Sequence, residues 1–170
     1  MMVTWFERKF DYSTTQNIMP SIIERLDGTS VRVRQKIERI DPSIVTLQLD
    51  GKWSVLEQIG HLGDLEPLWS GRLDDILNGE NMMRAADLRN SLTNDANHNS
   101  RSWQDLLERF ESLRNITIHR LQNLKEEDAF RTSLHPRLKT PLRTQDLFTF
   151  VAEHDDHHLA TMTALANKFK

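Results

Sequence analysis

The sequence contains no cysteine. That excludes a disulfide framework, a cysteine nucleophile, a Cys-type zinc site and an iron–sulfur cluster. A metal in this chain has only His, Asp and Glu to hold it. Glycine and proline are scarce, six and five in 170 residues, and most stand where a helix must start or stop. No apolar run approaches the roughly 20 residues needed to cross a bilayer. The opening MMVTWFERKF is too charged for a signal-peptide core, so the expected location is cytoplasmic, with no membrane partner. Neither sign of charge dominates: 22 Lys and Arg against 25 Asp and Glu leave a formal charge of −3. That balance argues against nucleic acid as a partner. Signature turns are missing as well, with no G-x-S-x-G, P-loop or dinucleotide fingerprint.

What is present is helical periodicity. Four segments carry apolar residues at three- and four-residue spacing. The first runs from about Pro20 to Ile40, with Ile23, Leu26, Ser30, Val33, Ile37 and Ile40 as its stripe. Pro20 suits a first helical turn, and Asp41-Pro42 ends the segment. The second spans about Ser54 to Asn78, opened by a Ser54/Glu57 capping box and stopped by Gly79. The third starts at Ser102 and runs to about Leu124; the fourth spans about Thr144 to Phe169. With little strand signal, the chain reads as one all-α domain over 1–170, a four-helix bundle preceded by an N-terminal arm at 1–19. Two connections, Asn81–Arg101 and Glu126–Pro141, are too long for simple hairpin loops and are expected to cross over and to rim a binding site.

The fourth stripe is Leu147, Val151, His154, His158, Met162, Leu165 and Phe169. Two of its core positions hold histidine, four residues apart and hence on one face. Adjacent buried imidazoles need either several polar partners or one shared cation. His157 also shares a face with His154 by spacing. The stripe favours His158, and places His157 on the flank. On the second segment His61 sits between Gly60 and Gly63, glycines that cost about 1 kcal/mol each inside a helix and suggest a close approach to the backbone. Pro67 removes the helical donor of the Gly63 carbonyl and is expected to open room nearby.

The pattern W-S-V-L-E-Q-I-G-H-L at 53–62, paired with F-V-A-E-H-D-D-H-H-L at 150–159, resembles the DinB-like superfamily and its YfiT-like branch of metal-dependent hydrolases. W-F-E-R-K-F at 5–10, R-L-D-G-T at 25–29 and H-P-R-L at 135–138 resemble the same branch. The resemblance implies a four-helix bundle with one divalent metal on His61, His154 and His158. It implies a hydrolase or a transferase using a small thiol, since the superfamily contains both kinds along with many members of unknown activity.

Three neutral imidazoles leave coordination positions open, as catalytic sites do, and suit zinc, nickel or iron(II) alike. A zincin protease needs Glu directly after the first His of its helix; Asp155 stands there instead. Di-iron bundles need paired E-x-x-H motifs, which are missing. The expected partner is therefore a small-molecule substrate, with any thiol supplied from outside. The rival reading is a metal-stabilised binding or stress-response module without turnover. Glu57, one turn before His61, is the candidate catalytic carboxylate. Asp64, Asp155 and Asp156 are candidates to orient the imidazoles. His98, His135 and Arg137, in the long connections, are candidates to reach over the open face and orient an anionic substrate, and His119 reads as solvent-facing. Trp5, Phe6 and Phe10 lie outside the bundle pattern and need cover, either on the chain's own bundle or in a homodimer, the latter slightly preferred.

Overall fold

The computed structural model describes residues 3–169; Met1, Met2 and Lys170, the ends of the expected domain, lie outside them. Four long helices form the body: α1 at Met19–Ile37, α2 at Val55–Leu77, α4 at Trp103–Gln122 and α5 at Thr144–Lys168. A short α3 at Ser91–Asp95 and a two-stranded antiparallel hairpin, β1 at Thr132–Leu134 with β2 at Pro141–Arg143, occupy the long connections.

Local chemistry fixes the ends. The Ser54 hydroxyl accepts the Glu57 N–H, and the Glu57 carboxylate accepts the Ser54 N–H, so the capping box satisfies two donors that the first turn of α2 would leave unpaired. Ser102 caps α4 through the Asp105 N–H. The Asp146 carboxylate takes the Arg143 N–H at the start of α5. Helix α2 runs continuously through Pro67, which sits on its exposed side.

Side-chain pairs give the direction of each helix. Arg25 and Arg32 of α1 meet Glu153 and Asp156 of α5, and Lys36 meets Thr163 further on, so α1 and α5 run parallel. Arg109, Arg114 and Arg120 of α4 meet Asp64, Glu66 and Asp74 of α2 in the same order, so these two also run parallel. Between the pairs the sense reverses: Gln58 of α2 bonds His158, whereas Trp69 further along packs on Phe150. Each of α1 and α2 packs against both α4 and α5, which puts α1 diagonally opposite α2 and α4 opposite α5. Parallel neighbours cannot be joined by a short loop. The segment between α2 and α4 must return the length of the bundle, and that return path explains its length.

Two apolar clusters fill the interior. One gathers Leu26, Trp69, Leu73, Phe148 and Phe150; the other gathers Val33, Ile59, Leu62, Phe110 and Met162. Between them lies a buried polar layer. The Arg114 guanidinium bridges Glu66 and Asp155, while Thr117 donates to Glu66 and Thr29 to Asp155. Burial alone would lower the Arg114 pKa, but Asp155 and Glu66 outweigh it and raise it. Burial raises that of Glu66 against the pull of Arg114.

Two of the stripe readings need correction here. In α1 the inward positions are Ile22 and Thr29 rather than Ile23 and Ser30, and in α4 Arg114 faces inward where Leu113 is only half-buried. The chain also adds a small hairpin to its helices. The arm folds back in cis: the Trp5 ring packs on Phe10, Phe150 and His154 at 5.5, 4.9 and 5.0 Å between centroids. Trp5 and Phe10 are thus covered by their own bundle, which removes the reason for docking them in a homodimer; Phe6 stays exposed beneath the Arg137 guanidinium.

Candidate metal centre

His61 projects from the middle of α2, and His154 and His158 from adjacent turns of α5. The three rings are buried, and one nitrogen from each lies within 4.8 Å of the others. His154 Nε2 and His158 Nε2 are 3.1 Å apart. His157 stays on the flank, half-buried, with its ring 5.6 Å from that of His158.

The surrounding hydrogen bonds set the tautomers. The Thr93 hydroxyl donates to Asp64 Oδ2 at 2.8 Å. It therefore accepts the His61 Nδ1–H, at 2.9 Å, which leaves the Nε2 lone pair pointing inward. The Gln58 side-chain carbonyl accepts the His158 Nδ1–H with the same result. Burial pushes the His61 pKa down to about 4 against the pull of Asp64. Burial and mutual repulsion hold His154 and His158 well below the ordinary value. All three rings thus favour the neutral form, and His154 Nδ1 has no hydrogen-bond partner among the described residues, so no contact fixes the proton of that ring. Lone pairs turned inward on His61 and His158 by protons held on their far nitrogens, beside His154 Nε2, are what a divalent cation requires. The residues fit such an ion.

Asp64 anchors this arrangement. Burial works against its charge, but hydrogen bonds from His98, Thr93 and Arg109 hold its carboxyl below the ordinary value. His98 Nε2 and Arg109 Nη1 both lie 2.8 Å from its oxygens. His98 therefore does not reach over the open face. It is buried behind His61, and a Cβ on Gly60 would come within 2.4 Å of its ring. Gly60 makes room for His98; at Gly63 the close neighbours are Arg109 and Phe110. Glu57 is committed to the α2 cap and to the Gln48 side chain, and it does not line the cavity in front of the histidines. His119 is exposed, as its position suggested.

That cavity encloses about 720 Å³, within the range of small-ligand sites. The three histidines, Gln58 and His157 form one part of its wall. Trp5, Trp53, Trp69 and Phe150 supply aromatic surface, and Arg72, His135 and Arg137 line it too. Trp53 is held against His61, at 4.5 Å between ring centroids, by a hydrogen bond from its indole to Asn94. Sequence reasoning missed Gln58, Thr93 and Arg72. Arg72 lies three residues after Trp69 and one before Leu73, and a cation within an apolar stripe was the available signal.

A four-helix bundle with parallel neighbours and a buried trio of converging histidines defines a class of small helical folds. A profile of the DinB superfamily matches residues 12–162, and the chain belongs to that superfamily. Among solved structures it is similar to YfiT from Bacillus subtilis, described as a probable metal-dependent hydrolase with an unusual four-helix bundle topology. The two are 21% identical, the match covers 96% of this chain and 94% of that one, and the TM-score is 0.82. No curated protein sequence matches the chain.

Proposed function

We propose that the protein is a metal-dependent hydrolase of small molecules that holds one divalent ion, zinc or nickel ahead of iron(II), on Nε2 of His61, His154 and His158. The carrying observation is the pair of outward hydrogen bonds, to Thr93 and Gln58, that turn two imidazole lone pairs toward each other in a dry wall of the cavity. The description of YfiT as a metal-dependent hydrolase supports the reading. A bound ion of this kind polarises a substrate carbonyl and lowers the pKa of a bound water or thiol. Gln58, Thr93 and Asp64 hold the ligand rings in place, and the aromatic wall excludes water from one side of the substrate.

A second reading has its own observation. Asp87 is the single carboxylate lining the cavity among the described residues, and it already accepts the N–H groups of Arg89 and Ser91. Among the described residues, no carboxylate faces the cavity beside the histidines. A small thiol, with a pKa of about 8.5, needs less help to ionise than water does, which favours a thiol-dependent transferase.

Anomalous scattering at metal edges from purified crystals tests the site, and screening the loaded protein on esters, amides and thiol–electrophile pairs tests the reaction. His158→Ala is expected to abolish turnover and weaken the metal strongly, while His119→Ala leaves both unchanged. A bound metal with no turnover on any class would instead identify a binding module.

A further inference from the structure

The part of the cavity wall around Arg72 holds more donors than acceptors. Arg72 is only 2% exposed, yet it makes no ion pair among the described residues. Its guanidinium lies 5.5 Å from the Trp69 ring centre. Nε donates to the Arg84 carbonyl, Nη1 faces His135 Nε2 at 3.1 Å, and Nη2 has no hydrogen-bond partner among the described residues. The two carboxylates nearest in sequence are occupied: Asp74 meets Arg120, and the oxygens of Asp75 take the Arg84 guanidinium and backbone N–H at 2.7–2.9 Å.

His135 sharpens the imbalance. Its Nδ1 faces the backbone N–H groups of Arg137 and Leu138 at 3.2 and 3.1 Å, while its Nε2 faces Arg72. Burial together with Arg72 and Arg137 lowers its pKa to about 4, so the ring is neutral and offers one lone pair. Three N–H donors compete for that one lone pair, two at Nδ1 and one at Nε2. With the pair on Nδ1, the Nε2–H and the Arg72 Nη1–H point at each other with no acceptor between them. Buried donors facing one another are costly unless an acceptor joins them. Lys52, Arg137 and Lys139 line the same cavity, with Asp87 as its sole carboxylate among the described residues. A chain of formal charge −3 thus presents a cationic pocket.

We infer that Arg72, with His135 and Arg137, forms a recognition subsite for an anionic oxygen group, carboxylate or phosphate, on a substrate whose apolar body lies along Trp5, Trp69 and Phe150. The distances suit one molecule: Trp69 lies 5.6 Å from His154 between ring centres, and the Arg72 guanidinium is one further contact away. An arginine fork matches such oxygens in pairs and discriminates against neutral isosteres. The inference deepens the proposed function and rests on it only for the reacting end of the substrate.

Isothermal titration of the full chain, metal-free and zinc-loaded, with phenylacetate, phenyl phosphate and neutral phenylacetamide tests it. The anions are expected to bind at least tenfold more tightly than the amide. Arg72→Gln is expected to cost tenfold or more for the anions while leaving the zinc isotherm unchanged. The tighter of the two anions separates carboxylate from phosphate substrates, and either preference supports the subsite. An amide that binds as well as the anions, or anions that bind the variant undiminished, would overturn it. Where melting curves show that Arg72→Gln does not fold, Arg137→Gln carries the test: a several-fold loss supports the subsite and unchanged affinity overturns it. Arg72-dependent anion binding by a protein that binds none of zinc, nickel and iron(II) would refute the metal reading and leave this one standing.

Discussion

Thr93 accepts the His61 Nδ1–H and passes its own proton toward Asp64, so a residue on the return segment fixes the tautomer of a ring on α2. Thr93→Val keeps the shape and removes the relay. Its zinc affinity, measured by competition with a chromophoric chelator, is expected to fall by about 10–100-fold with the melting temperature of the metal-free protein little changed. An unchanged affinity would mean that packing alone orients His61.

The buried Arg114 layer gives a prediction about pH. Arg114→Met leaves Glu66 and Asp155 without their cation and is expected to cost about 3–5 kcal/mol. The Glu66 pKa is already raised by burial, and loss of the guanidinium raises it further. A carboxyl raised in the folded state favours the fold while protonated and penalises it as pH climbs through that value. Urea unfolding is therefore expected to show a smaller deficit at pH 5 than at pH 8. Equal deficits would show that lost packing, not stranded charge, is the cause.

Two glycines inside helices are expected to respond in opposite ways to the same change. A Cβ on Gly28 meets nothing within 4 Å, so Gly28→Ala in α1 should stabilise by about 0.4–1 kcal/mol through the unfolded chain. Gly60→Ala drives a methyl into the His98 ring and should destabilise by about 1–3 kcal/mol. Thermal melts of the two variants check both signs.

Deletion of residues 3–12 strips Trp5 and Phe10 from the Phe150 face. Lower melting temperature with an unchanged molar mass in light scattering is the expected outcome. A drop in mass would restore the arm to a role between chains.

The four long helices were legible because their stripes repeat over many turns and their caps are strong; Ser54 and Ser102 act as the sequence suggests. His154 and His158 could be picked out because imidazoles in an apolar stripe are conspicuous, and His61 because two glycines bracket it. Their supporting groups could not. Thr93 is an ordinary threonine in a polar segment, and only the return path of that segment brings it beside His61. Gln58 and Arg72 lie on α2, but their meaning depends on which helix stands opposite, and parallel neighbours cannot be read from periodicity. Arg114 was in phase with Phe110 and Thr117; the habit of placing arginine outside hid it. His98 was misread because a loop histidine gives no hint of which side of a helix it will reach.

The segment from Asn81 to Arg101 descends α2 turn by turn, with Arg84 at Asp75, Thr93 at His61 and Asn99 at Ser54. Its length is therefore tied to that of the helix beside it, and neither can be shortened alone without breaking the alignment. In return, the stretch of it that lines the pocket, Ala85 to Leu88 with Asn90, is held at a fixed depth of the wall. Variation there can reshape what the pocket admits while the three imidazoles, anchored further down at Thr93, stay as they are.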